Sequence, residues 1–376
     1  MIIAILLAGL FLAFSNGAND NFKGVATLLG SRTTTYKIAL FWASLTTFAG
    51  SITAFFLAQK LMANFSGKGL VPDQIVQLTS FSVSVAIAAA LTVFFATKFG
   101  FPISTTHAIT GALVGAGALA SAGAINLEKL TSTFFLPLLI SPVIAIIGAS
   151  AIYPTLSFFR RKFGVIRESC ICIGNEVLMP APKGLAPGST AATIQFSFYP
   201  QISAGTNVIC EERYMGQVWG LSAKSVIDKS HFLSAGMVGF ARGLNDTPKI
   251  AAILLVGNLV NPLFAIALVA IIMCVGGFVY AKKIAETMSY QITEMNDGQG
   301  LSANLVTSLV VIGASQLGVP VSTTHVSCGS LFGIGAVTKK AHWGSILKIV
   351  LAWLVTLPVA GVLGFLAFAA LRGVMR

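Results

Sequence analysis

Charge is what this sequence has least of. Asp, Glu, Lys and Arg make up 10% of its 376 residues, against about 25% in a soluble domain. With 55% hydrophobic residues, the chain cannot cover itself with a polar surface, which excludes an ordinary water-soluble domain. Cysteine is sparse too, at five. Cys274 and Cys328 lie in apolar stretches and read as packing residues. Cys170, Cys172 and Cys210 lie in a polar stretch, where a C-x-C and one distant Cys fall short of a complete four-ligand zinc pattern. No Lys or Arg precedes Lys23, so the first apolar run lacks the basic start of a signal peptide. It reads as a retained first helix.

What is present is apolar length. Runs near 38–58, 135–157, 264–280 and 346–371 approach or exceed the roughly 20 residues that cross a bilayer. The chain therefore reads as an all-α, multi-pass integral membrane protein of a lipid bilayer, with the plasma (inner) membrane as its expected location. Its net charge of +12 does not point to nucleic acid. The basic residues sit in short gaps between apolar runs, at Arg32 and Lys37, Arg160 to Lys162, Lys282 and Lys283, and Lys339 and Lys340, as the positive-inside bias places them.

Two membrane halves, 1–157 and 230–376, flank a polar segment, 158–229, which is rich in Pro, Gly and Ser. Its 191–210 stretch alternates polar and apolar residues, as short strands do. The halves repeat one another. FSNGANDNFK at 14–23 matches FARGLNDTPK at 240–249 in five of ten positions, and FPISTTHAITGALVGAG at 101–117 matches VPVSTTHVSCGSLFGIG at 319–335 in nine of seventeen. Two matches in the same order signal a duplication. With the N-terminus outside and 74–120 entering and returning as a re-entrant hairpin, the internal basic clusters fall inside. The central segment is then cytoplasmic, the second half exits at 257–262, and Arg372 and Arg376 are the exceptions. This makes the halves inverted-topology repeats, the design of many secondary transporters.

Each repeat carries two polar motifs at bilayer depth. A charged Asp there costs about 2.5–3.5 kcal/mol on insertion scales, and the chain accepts it at Asp20 and Asp246. Gly17 and Gly243, with Pro248 in the second copy, predict helix breaks, and unwound backbone at that depth must line a polar cavity or be buried in protein. Exposed carbonyls with Asn19, Asp20, Asn245 and Asp246 make a hard-oxygen set suited to a small cation, with the charge at Asp20 and Asp246. The alternative is an internal ion pair, because Lys23 and Lys249 each follow an Asp by three residues.

The second motif, Ser104-Thr105-Thr106-His107 after Pro102 and Ser322-Thr323-Thr324-His325 after Pro320, is a helix-start signal. One hydroxyl suffices for an N-cap, worth about 1 kcal/mol; three in a row at the positive end of a helix suit a tetrahedral oxyanion. His107 and His325 either brace this turn or touch the anion. The glycines at 111, 115 and 117, and at 329, 333 and 335, read as close helix packing. A dianion about 5 Å from a carboxylate meets roughly 3 kcal/mol of repulsion per unit-charge pair at an effective dielectric of 20. Cations on the Asp residues reverse that sign, which couples the two ligands. Fixed charge on Lys23 and Lys249 would aid binding without driving accumulation.

At these residues the chain resembles the inorganic phosphate transporter (PiT) family. The family's duplicated Gly-x-Asn-Asp signature stands at Gly17-Ala18-Asn19-Asp20 and Gly243-Leu244-Asn245-Asp246, and its Pro-x-Ser-Thr-Thr-His segments at 102–107 and 320–325. The resemblance covers both halves. It implies a homodimeric inverted-repeat symporter that takes up inorganic phosphate with transported Na⁺ or H⁺ and needs no other cofactor. By the same likeness Ser104, Thr105, Thr106, Ser322, Thr323 and Thr324 hold phosphate, and Asn19, Asp20, Asn245 and Asp246 lie at the cation sites. Thr47 and Asn304 stand where members often carry Glu. A sulfate symporter of the same architecture is the nearest rival. A passive anion channel would conduct without a cation gradient. An intramembrane aspartyl protease could use two aspartates but would have no need of paired Ser-Thr-Thr helix starts.

Overall fold

The computed structural model describes residues 2–166, 168–178, 195–206, 219–256 and 260–373. The contacts divide the chain into one unit of Met1–Pro154 with His231–Arg376 and a second of Thr155–Ser230. The principal helices in chain order are α1 (Ile2–Asp20), α2 (Ala26–Gly30), α3 (Tyr36–Leu57), α4 (Thr79–Lys98), α5 (Thr105–Ala120), α6 (Leu136–Lys162), α7 (Ala223–Leu254), α8 (Pro262–Tyr280), α9 (Asp297–Leu317), α10 (Thr323–Thr338) and α11 (Trp343–Leu371). Among the described residues, seven helical segments are long and apolar enough to cross a membrane. α7 is long enough as well, but it carries Arg242, Asp246 and Lys249 in its buried stretch. Leu7, Phe41, Phe56, Leu139, Ile147, Leu309 and Leu354 are exposed, the outward apolar surface a lipid environment asks for.

In the smaller unit, β1 (Ser169–Leu178), β2 (Gln195–Thr206) and β3 (Trp219–Ser222) form an antiparallel sheet in the order β2-β1-β3. The strand expected within 191–210 is thus β2, and the ends of that range lie outside the described residues. Cys170 is a free, buried thiol, and Cys172 follows two positions on along β1. Cys210, the third residue of the C-x-C reading, lies outside the described residues, as do 257–259 of the expected external turn.

In the larger unit α1 packs on α4 and α8, α3 on α8, and α9 beside α10; α11 lies along α5 and α4. The motif glycines permit these approaches. A Cβ on Gly115 of α5 would sit 1.8 Å from the Gly361 carbonyl oxygen of α11, and one on Gly333 of α10 would sit 2.5 Å from the Ile146 oxygen of α6. The last helix of each half therefore seats the short motif helix of the other. At 16 residues each, α5 and α10 are about 24 Å long, short of a hydrocarbon core of about 30 Å.

A helix break appears in one copy, and it lies just after the motif rather than at Gly17. α1 ends at Asp20, and the chain passes through a 3₁₀ turn at Lys23–Val25 before α2. In the second copy α7 runs unbroken through Asn245, Asp246 and Pro248 to Leu254, which corrects the expected unwinding. Gly243 serves packing instead: a Cβ there would lie 2.0 Å from the Thr47 oxygen of α3. Gly17 has the same use, 1.9 Å from the Met273 oxygen of α8. Pro248 removes one helical donor, a loss that membrane helices tolerate when neighbours hold the surrounding polar groups.

Gly115→Ala should force α5 from α11 and lower the melting temperature in detergent, by the ~1–3 kcal/mol typical of an overpacked contact. Gly313→Ala, with nothing within 4 Å of the added carbon, should melt at or slightly above wild type. Equal melting of Gly115→Ala and wild type would remove the packing role.

Candidate anion and cation site

Both polar motifs of both halves meet at one buried cluster. Asp20 is 1% exposed and Asp246 2%. The helix starts reach them because each Ser caps its own helix: Ser104 Oγ accepts the His107 amide at 3.0 Å, and Ser322 Oγ accepts that of His325 at 3.1 Å. Capping, the plainer of the two readings, thus describes the serines, while the threonines after them turn into the cluster. Thr105 Oγ1 donates to Asp20 Oδ2 at 2.9 Å, and Thr323 Oγ1 to Asp246 Oδ2 at 3.2 Å.

The lysines cross between the halves. Lys23 Nζ pairs with Asp20 and donates to Thr324 Oγ1 at 2.6 Å, Asn19 Oδ1 at 2.7 Å and the Ile103 carbonyl at 2.9 Å. Lys249 Nζ donates to Thr106 Oγ1 at 2.7 Å, the Val321 carbonyl at 2.9 Å and Asp246 Oδ1 at 3.2 Å. The ion pairs foreseen from the three-residue spacing are therefore formed. The carbonyls that join the cluster belong to Ile103 and Val321, between the Pro and Ser of each helix-start motif. They are not supplied by unwound Gly-x-Asn-Asp segments, because Gly17 and Gly243 remain helical. Thr324 Oγ1 donates to the Ile103 oxygen at 2.8 Å and Thr106 Oγ1 to the Val321 oxygen at 3.2 Å.

The Asn side chains tie the cluster to the helices around it: Asn19 Oδ1 accepts from Lys23, and Asn245 Nδ2 donates to the Val321 carbonyl at 3.2 Å. Asn19 Nδ2 donates to Thr97 Oγ1 at 2.8 Å, and Ser315 Oγ donates to Asn245 Oδ1 at 3.2 Å. His107 and His325 brace the helix starts: their rings meet edge-on at 4.4 Å, and His325 packs 4.0 Å from the Trp353 ring. Trp353 Nε1 in turn donates to the Pro102 carbonyl at 3.0 Å. Thr47 accepts a hydrogen bond from Arg242 at 3.2 Å, while Asn304 donates to Thr27 at 2.9 Å and Ser234 at 3.3 Å.

Sequence reasoning missed Arg242. It is buried, donating to Asn16 Oδ1 at 2.7 Å and Asn21 Oδ1 at 2.9 Å, and its Nε lies 3.8 Å from Asp246 Oδ2. The signal was present: an arginine inside an apolar run, at the repeat position that holds Asn16 in the first copy. Lys23, Arg242 and Lys249 face Asp20 and Asp246, so the cluster carries one more cationic side chain than anionic. A cleft of about 400 Å³ is lined by residues that include Phe99, Phe101, Lys283, Glu286 and Lys348. Phe101, one of its lining residues, accepts a hydrogen bond at its carbonyl from Asn19 at 3.0 Å. Among the described residues, no three His, Cys, Asp or Glu side chains converge as a metal centre would need.

Membrane-length helices around a buried, hydroxyl-rich cluster in which cationic side chains outnumber anionic ones define a multi-pass membrane protein. The chain belongs to the phosphate transporter family, whose model matches residues 16–364. It is thus a transporter-family protein and not an enzyme. It is 28% identical to a protein of Thermococcus kodakarensis named as a candidate phosphate permease, over 98% of this chain and 97% of that one. A second relative, named as a candidate low-affinity inorganic phosphate transporter of Rhizobium meliloti, is 26% identical over 98% and 96% of the two chains. The solved structure of a sodium-dependent phosphate transporter superposes with a TM-score of 0.75 across 99% of both chains at 21% identity, a likeness that shows the fold.

Arg242→Met would leave Asn16 Oδ1 and the Thr47 hydroxyl oxygen without a donor, Asn21 Oδ1 with only a 3.4 Å bond from Thr47, and Asp246 short of a cation. The loss should be on the order of 3–5 kcal/mol, read as a lower melting temperature in detergent. Arg242→Lys should recover only part, because an ammonium cannot span the guanidinium's partners. Wild-type melting of Arg242→Met would remove it from the cluster's framework.

Proposed function

We propose that this protein moves inorganic phosphate across the membrane by symport with a cation, Na⁺ or H⁺. The observation that carries the reading is the cluster's surplus positive charge among four threonine hydroxyls at two helix N-termini. Thr105, Thr106, Thr323 and Thr324 hold the phosphate oxygens, Ser104 and Ser322 fix the helix starts that present them, and His107 and His325 hold those starts in place. Asn19, Asp20, Asn245 and Asp246 are the cation-binding set. The paired contacts support two inverted repeats around this centre, with the basic ends and the central segment cytoplasmic and the whole in the plasma membrane. The family resemblance supports a homodimer.

Phosphate retains a proton at neutral pH and so donates a hydrogen bond, which sulfate does not. Two carboxylates beside the hydroxyls offer acceptors, and this favours phosphate. Each Asp is engaged by a lysine and a threonine, an arrangement unsuited to a protease dyad.

Uptake of labelled phosphate and of sulfate into proteoliposomes, with Na⁺ and pH gradients imposed in turn, tests the reading. Phosphate should accumulate under at least one cation gradient and sulfate should not. Phosphate equilibration without accumulation under every gradient would identify a passive channel. Asp20→Asn and Asp246→Asn should each abolish cation-driven accumulation. Thr323→Val with Thr324→Val should raise the half-saturating phosphate concentration roughly tenfold or more, the loss of one or two charge-assisted hydrogen bonds. An unchanged value would remove that helix start from the site.

A further inference from the structure

The two lysines stand where the two proposed ligands compete. Around Lys23 Nζ are a carboxylate, an amide oxygen, a carbonyl and a hydroxyl, and around Lys249 Nζ a carboxylate, a carbonyl and a hydroxyl. These are the oxygens a small hard cation takes. The hydroxyls among them, on Thr106 and Thr324, are also those assigned to the oxyanion. An ammonium has three protons, and both lysines spend theirs inside the cluster. Neither can serve an oxyanion without leaving an oxygen it now holds.

We infer that Lys23 and Lys249 are the coupling residues: each is a tethered cation that the transported Na⁺ or H⁺ displaces from its carboxylate, and the displaced ammonium is what phosphate then binds. The inference rests on reading this cluster as a cation-coupled phosphate site and supplies the link between the two ligands. Without a transported cation, a lysine that moves to phosphate strands a buried carboxylate, which is far costlier than a paired one. With Na⁺ or a proton on Asp20 or Asp246, that penalty disappears and the ammonium is free. Phosphate binding and cation binding then favour one another by the same factor. No bond to carbon or phosphorus changes; in the proton case the carboxylate becomes a carboxylic acid.

The charged and titratable groups that face the lysines are Asp20, Asp246 and Arg242, with Cys328 and His325 beside Lys23. Arg242 is committed to Asn16, Asn21 and Thr47, so it stays in place during the exchange.

The test is the ratio of phosphate affinities with and without the cation, measured on purified protein with labelled phosphate. One arm exchanges Na⁺ for choline and a second compares acid with alkaline pH. Wild type should gain about tenfold in affinity in one arm, which identifies the ion. In Lys23→Met and Lys249→Met the affinity should fall and the ratio should shrink to within about twofold of one. The charge-retaining Lys249→Arg should regain part of the ratio. A wild-type ratio in both Met variants would overturn the inference.

A second measurement needs no variant. Labelling of Lys23 and Lys249 by a small amine reagent, read by mass spectrometry, should rise when the coupling cation is added alone and fall when phosphate joins it. Labelling unmoved by either cation would overturn the inference equally. If the cation raises labelling and sulfate suppresses it while phosphate does not, the coupling role stands and the phosphate reading fails.

Discussion

Two buried carboxylates lie in the larger unit, and the motif side chains around them are arranged as their partners. An isolated carboxylate in a low-dielectric interior is strongly disfavoured. Each of these has a lysine three residues on and a threonine at the start of a motif helix. Each lysine also needs further oxygens, and it finds one on the opposite half. Lys23 reaches Thr324, and Lys249 reaches Thr106. Neither half can complete its own ion pair's surroundings alone, so the duplicated halves are joined by electrostatics as well as by packing.

The apolar framework obeys the same exchange. One core joins α1, α4 and α5 to residues of α7, α8 and α11, and a second joins α2 and α3 to α9 and α10. Glycines carry this because a polar centre needs backbones close enough for short side chains to meet. Gly17, Gly243 and Gly115 each face a backbone oxygen at 2.0 Å or less from where a Cβ would be. Helix association in lipid gains little from burying apolar surface and depends on such close contact and on internal hydrogen bonds. Motif helices of 16 residues can then end at the centre of the unit and aim their free N–H groups inward.

Much of this was legible because the duplicated motifs compare the sequence with itself. The ordered pairs Asp20/Asp246 and Thr105/Thr323 identified residues that the fold brings together from positions 85 and 77 apart. The use of the glycines was harder to read, since the same residue that loosens a helix also lets another backbone approach. At Gly243 the neighbouring Thr47 oxygen decides the matter, and no spacing rule foretells it. Arg242 escaped notice because comparison of the copies rewards matches, whereas its importance lies in a mismatch. The carbonyls of Ile103 and Val321 were hidden for another reason: every residue has a carbonyl, and only the extended turn before each helix start singles out these two.

That mismatch is also where the symmetry of the centre had to fail. Arg242 and Asn16 occupy equivalent positions in the two copies, and they bond directly to one another at 2.7 Å. With Asn at both positions, two lysines and two aspartates would cancel, and the cluster would hold no surplus charge. With Arg at both, two guanidiniums would compete for one meeting point, and a pair of buried like charges would be left facing each other. One Arg and one Asn give a single surplus positive charge with a donor matched to an acceptor. The duplication supplies the frame, and this one unequal pair gives the frame its sign.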